Sequence, residues 1–138
     1  MPARDVFHDA VIHALEREEW QITHDPYLIY YELGKMYIDL GAEKVLAAEK
    51  KNQKIAVEIK SFIQTAAVSE FHTVLGQFIN YRTILKESEP NRILYLAIPD
   101  DTYNSLFQTR FVQKIMIDYK LKLIIYKPNE EFIQQWIS

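Results

Sequence analysis

The sequence contains no cysteine. That absence excludes disulfide bridges, zinc–thiolate centres and cysteine nucleophiles. It also lacks any apolar run approaching the roughly 20 residues that a membrane-spanning helix needs. The opening MPARDVFHDA carries no signal-like apolar stretch, so the expectation is a cytoplasmic protein with no membrane partner. A basic excess is missing too. The net charge is −3, which excludes bulk coating of nucleic acid and leaves local patches to make any DNA contact. The candidate patches are Lys50, Lys51 and Lys54, then Arg82 and Lys86, then Arg110 and Lys114. There is no internal repeat, low-complexity segment or linker.

What is present suits one folded unit. The 138 residues are 49% hydrophobic and 13% aromatic, too apolar for long disordered spans. A chain of this length buries roughly two-thirds of the surface its unfolded form exposes. One domain spanning 1–138 is therefore expected.

Apolar spacing predicts a helix over 4–19, from Val6 and Phe7 to Ala14 and Leu15. Strands are predicted at 28–32 and 36–40, joined around Leu33–Gly34, followed by a hairpin turning at Lys50–Gln53. The helical period returns over 68–86 with Val68, Phe71, Leu75, Phe78 and Ile79. NRILYLAIP suits a central strand covered on both faces. A helix over 102–119, a strand at LKLIIYK and a short helix over 130–136 with Trp136 packed complete the prediction. The fold class is α/β, a mixed β-sheet flanked by helices.

The chemistry concentrates in KIAVEIKSF. Strand side chains alternate, so Ile55, Val57 and Ile59 share one face while Ala56, Glu58 and Lys60 share the other. Glu58 and Lys60 then lie about 6.6 Å apart along the strand. Asp39, closing MYIDLG, adds a second carboxylate at a strand end. Two carboxylates with a lysine suit metal-dependent phosphodiester cleavage: the acids hold Mg²⁺ or Mn²⁺, and the lysine orients water or offsets developing charge. On their own these residues fit a surface Glu–Lys pair as well. Gln77 and Tyr81, at i and i+4, share one face of the downstream helix and could meet a phosphate or sugar. An ordinary exposed helix face fits that stripe too. If the hairpin turns near 51–52, Glu58 lies opposite a residue near Val45, so Glu43 is kept as the substitute for Asp39.

Other residues carry plainer readings. His24 and Asp25 serve a turn, His13 and His72 lie on helix surfaces, and Trp20 and Trp136 pack in the core.

As a set, Asp39 in YIDLG, Glu58-Ile59-Lys60 in VEIKS and the Q-x-x-x-Y of Gln77 and Tyr81 resemble the PD-(D/E)XK nuclease superfamily, its RecB-like branch in particular. The resemblance implies a restriction-endonuclease-like αβββαβ core. It also implies a metal-binding histidine on the first helix, for which His8 stands in a comparable place, with Asp9 as an acidic alternative. A longer resemblance runs through MPARDVFHDAV, YIDLGAEKVLAAEK, KIAVEIKSF, LGQFINYR, ILYLAIP and LKLIIY. These segments resemble the XisH family, the proteins named for control of fdxN element excision. That resemblance implies a DNA rearrangement role beside a site-specific recombinase and an XisI-like protein, with a homodimer left open. Three functions follow from it: a metal-dependent DNA endonuclease, a non-catalytic DNA-binding excision factor, and a subunit that mainly binds another protein.

Overall fold

The apolar run RILYLAIP becomes the strand around which the rest is arranged. The structure is a computed structural model and describes residues 4–32, 34–46, 51–63 and 67–138. Helix α1 (His8–Arg17) precedes strands β1 (Gln21–His24), β2 (Tyr27–Tyr31), β3 (Gly34–Ile38), β4 (Leu40–Leu46) and β5 (Lys51–Ile59). Helix α2 (Ala67–Ser88) leads to β6 (Arg92–Pro99), then α3 (Asp100–Asn104), a 3₁₀ turn (Leu106–Gln108) and α4 (Arg110–Tyr119). Strands β7 (Leu123–Lys127) and β8 (Phe132–Ile137) follow.

Six strands form one mixed sheet in the order β1-β4-β5-β6-β7-β8, and β2 with β3 forms a separate hairpin. β6 runs parallel to β5 and to β7, while β1–β4, β4–β5 and β7–β8 are antiparallel. Parallel neighbours need crossovers, and α2 and α4 supply them.

Both sheet faces are apolar because helices cover each of them, α1 on one and the crossovers α2 and α4 on the other. Ile55, Val57 and Ile59 pack with Tyr95, Ala97 and Ile124 against Val11, Ala14 and Leu15 of α1. On the opposite face Ala56, Leu94, Leu96 and Ile98 meet Phe71, Val74, Phe78 and Leu85 of α2 and Val112 of α4. Each fully buried Leu, Ile, Val or Phe contributes about 1.5–3 kcal/mol. β6 reads as a continuous apolar run because, from Leu94 onward, both of its faces are covered, and only Ile93 near its start is exposed. Among the described residues no helix is long and apolar enough to cross a membrane.

A buried cation fastens the hairpin to this frame. The Arg92 guanidinium donates to Ile55 O at 2.9 Å and to Glu89 Oε2 at 2.8 Å, and it lies 4.8 Å from the centre of the Tyr27 ring. Tyr27 in turn donates its hydroxyl hydrogen to Glu89. Gly41 permits the adjacent packing, because a Cβ there would stand 2.9 Å from both His24 Nδ1 and Tyr27 Cδ2.

Four expectations change. The segment 130–136 is not a helix: β8 pairs antiparallel with β7, matching Lys127 to Phe132 and Ile124 to Trp136. Trp136 does pack, at 5.8 Å from the Trp20 ring and 5.0 Å from Tyr95. The helix over 102–119 is broken, and α4 begins afresh where the Thr109 side chain accepts from Val112 N. β1 is an additional strand, recruited by β4 through Gln21 opposite Glu43. Finally, Lys51 to Gln53 are paired strand residues rather than a turn, and Lys50 lies outside the described residues.

Candidate functional site

That last shift decides the site. With Leu40 opposite Val57, the next position along brings Asp39 level with Glu58. Glu43 instead pairs with Lys54, and its carboxylate points to Arg92 at 3.9 Å, so it is no substitute for Asp39. Asp39 sits in the break between β3 and β4, where its own N–H is free to donate to Glu58 Oε1 at 3.2 Å. Its Oδ2 accepts from Ile59 N at 2.7 Å.

The end of β5 is held from every side. Lys60 N donates to Ala97 O at 3.0 Å, and Ser61 N donates to Asp5 Oδ2 at 2.9 Å. Ser61 O accepts from Thr102 at 3.3 Å. Phe62 then turns the chain at φ 55°, with its ring buried against Phe107. Backbone groups satisfied in this way fix the strand end, and with it the aim of Glu58 and Lys60.

Glu58, Lys60 and Asp39 open into one cleft of about 470 Å³, which Gln77 and Tyr81 of α2 also line. Burial, and next the Asp39 carboxylate, push Glu58 up to about 9, while Lys60 pulls the other way. Tyr81 is raised to about 12, first by burial and then by the charges of Glu58 and Asp39. These shifts are what two carboxylates in a half-dry cleft produce: the first charge opposes the second until a proton or a cation intervenes.

The residues present fit a hard divalent cation. The acceptors are all oxygen, and besides the facing carboxylates, Glu70 Oε2 and Gln77 Oε1 are buried without a protein hydrogen-bond partner. Among the described residues no group of three or more His, Asp or Glu is placed to hold a metal ion. Mg²⁺ needs only one or two carboxylates, because it keeps several of its waters.

The expected histidine is elsewhere. His8 is buried, with Nε2 bound to Asp25 at 2.8 Å, and it does not line the cleft. Asp9 is exposed and pairs with Arg4 at 3.4 Å. Of the basic patches, Lys54 approaches Glu89 at 3.9 Å and Arg82 donates to Lys120 O at 3.0 Å. Arg110 and Lys114 are exposed on α4. Sequence reasoning missed Glu70 and Asp5. The signal for Glu70 was its spacing: seven residues before Gln77, it falls on the same face of α2 two turns earlier.

Fold and cleft together define a mixed α/β protein that presents a carboxylate pair and a lysine at the end of a central strand. The chain belongs to the XisH family, whose model, described as XisH protein, matches residues 1–134. It is similar to an XisH family protein from Nostoc punctiforme PCC 73102, at 45% identity over 97% of this chain and 100% of that one, with a TM-score of 0.88. It is likewise similar to a fdxN element excision controlling factor protein from Anabaena variabilis, at 46% identity over 98% of this chain and 100% of that one, with a TM-score of 0.89. No curated protein matches the chain.

Proposed function

We propose that this chain is a DNA excision factor of the PD-(D/E)XK type that hydrolyses phosphodiester bonds with the aid of Mg²⁺ or Mn²⁺. The observation that supports this best is the facing pair Asp39 and Glu58 with Lys60 beside it in one cleft. Bound there, the cation would neutralise phosphoryl oxygens and lower the pKa of a water. Asp39 and Glu58 would hold it, with Glu70 and Gln77 as further acceptors lining the same cleft. His8, paired with Asp25, takes no part in this ligand set. Lys60, an ammonium with rotating donors, orients the attacking water or offsets the charge that develops on the phosphate. Gln77 and Tyr81 position the strand. The similarity to an excision controlling factor extends the proposal to partners: DNA, a site-specific recombinase and an XisI-like protein, in the cytoplasm, with a second copy of the chain as a further candidate.

A second reading is an excision factor that binds DNA or a protein without cutting, and the acidic net charge of −3 favours its protein-binding form. A nicking assay on supercoiled and branched DNA with each ion separates the two. Cleavage that Glu58→Gln and Lys60→Ala both remove supports the enzyme. Metal binding with no cleavage on any substrate moves the chain to the second reading.

A further inference from the structure

The cleft does not stop at Tyr81. A groove of about 490 Å³ continues from Gln77 and Tyr81 between α2 and the β2–β3 hairpin, and Tyr31, Met36, Asn80 and Thr83 line it. Tyr27, Ile29 and Tyr31 alternate onto one hairpin face. Tyr27 and Ile29 are buried in the α2-side core, so Tyr31 projects along α2 from an anchored base, the residue itself 39% exposed.

The character of this groove differs from that of the cleft. The cleft carries Arg4 and Lys60 beside its acids. Among the described residues the groove is lined by no charged side chain. It offers an aromatic ring, a thioether, an amide and hydroxyls. Beyond Tyr31 the surface turns acidic, with Glu32 and Glu87 flanking the next depression. A phosphate backbone would be repelled along that path, whereas a flat, uncharged, polar-edged heterocycle is not.

Resting on the nuclease reading above, we infer that this groove holds an unpaired nucleobase of the strand being cut, stacked on Tyr31 with its edge toward Asn80 and Thr83. A duplex cannot offer such a base without unstacking it. The substrate class is therefore DNA with a single-stranded or displaced segment next to the scissile phosphate. Every base has a π face, so stacking tolerates sequence, and the amide and hydroxyls can bias the choice.

The test is fluorescence anisotropy with a labelled single-stranded oligodeoxynucleotide of about 15 residues, and with the same sequence as a blunt duplex. Ca²⁺ replaces Mg²⁺ in the binding buffer. The wild type is expected to bind the single strand about tenfold or more tighter than the duplex, and Tyr31→Ala to lose about tenfold on the single strand alone. Tyr31→Phe keeps the ring and should match the wild type. An unchanged melting curve for Tyr31→Ala shows that the loss is local. Asn80→Ala should alter the preference between oligothymidine and oligoadenosine probes, and an unmoved preference overturns the edge-reading role. Tyr31→Ala binding the single strand like the wild type, or a wild type that binds duplex equally well, overturns the base site and leaves the nuclease reading standing. A wild type that binds no DNA at all overturns both.

Discussion

Asp39 and Glu58 are each held by the other's strand: Asp39 N donates to Glu58 Oε1 at 3.2 Å, and Ile59 N donates to Asp39 Oδ2 at 2.7 Å. The crossed bonds bring two acidic groups together by backbone pairing rather than by mutual attraction. Held this close, the two cannot both carry charge without a proton on Glu58 or a cation between them.

Mg²⁺ or Mn²⁺ should accordingly raise the melting temperature. A ligand that binds only the folded form at a hundredfold excess over Kd adds about 2.7 kcal/mol. For a domain of this size that is a rise of roughly 8 to 12 °C. Glu58→Gln keeps the shape and removes the carboxyl that must ionise to bind the cation, so a melting series should show the shift reduced to a few degrees at most.

Without a cation, stability should fall as pH rises. Glu58 keeps its proton to about 9 in the folded chain, against an ordinary 4.5. Between those values the folded state binds more protons than the unfolded one, so this contribution is fully present below about 4.5 and is lost as pH climbs through 9. Urea unfolding at about pH 5, 7 and 9 should show the decline in the wild type and a flatter profile in Glu58→Gln.

Metal binding should release a proton near neutral pH, because the ion takes the place that the Glu58 proton holds. Calorimetry in two buffers of different ionisation enthalpy measures that release directly. The same displacement makes the apparent affinity for Mg²⁺ increase with pH up to about 9. An affinity flat with pH would remove Glu58 from the ligand set.

Lys60→Ala should separate binding from chemistry. Its backbone bond to Ala97 survives the change, so the strand end stays in place. The melting shift with Mg²⁺ should persist, while nicking falls by about a hundredfold or more, the usual cost of losing one charge-stabilising donor.

Much of this was legible in the sequence, for identifiable reasons. KIAVEIKSF alternates cleanly, so its two faces could be read before the structure gave them partners. In α2 the expected stripe is buried at Phe71 and Phe78, but Val68 is exposed and Val74, which the spacing did not single out, is buried. The register was not legible. Asp39 meets Glu58 only because strand pairing runs on through Leu46 opposite Lys51, and a shift of a few residues would have placed Glu43 or Val45 there instead. FIQQWI spaces Ile133, Trp136 and Ile137 as a helix would, and a window so short cannot separate the two periods. Pairing with β7 settles it as a strand. QITH is too brief to show any period, and the exposed edge of β4 made it a strand. His8 shows the same limit: helical spacing places a residue on a helix, but Asp25, far along the chain, determines which way the ring is drawn.

The Tyr27, Glu89 and Arg92 contacts have a mechanical meaning. The hairpin lies outside the main sheet, yet its Tyr27 hydroxyl reaches Glu89 at the far end of α2, and Glu89 is bound to the guanidinium that also grips Ile55 in the carboxylate-bearing strand. The outer wall of the groove and the strand that carries Glu58 thus share Arg92 as one fastening, beside the core packing of Ile29 and Ile38 and the pairing of β5 with both its neighbours, so a change at Arg92 is felt on both sides of the opening.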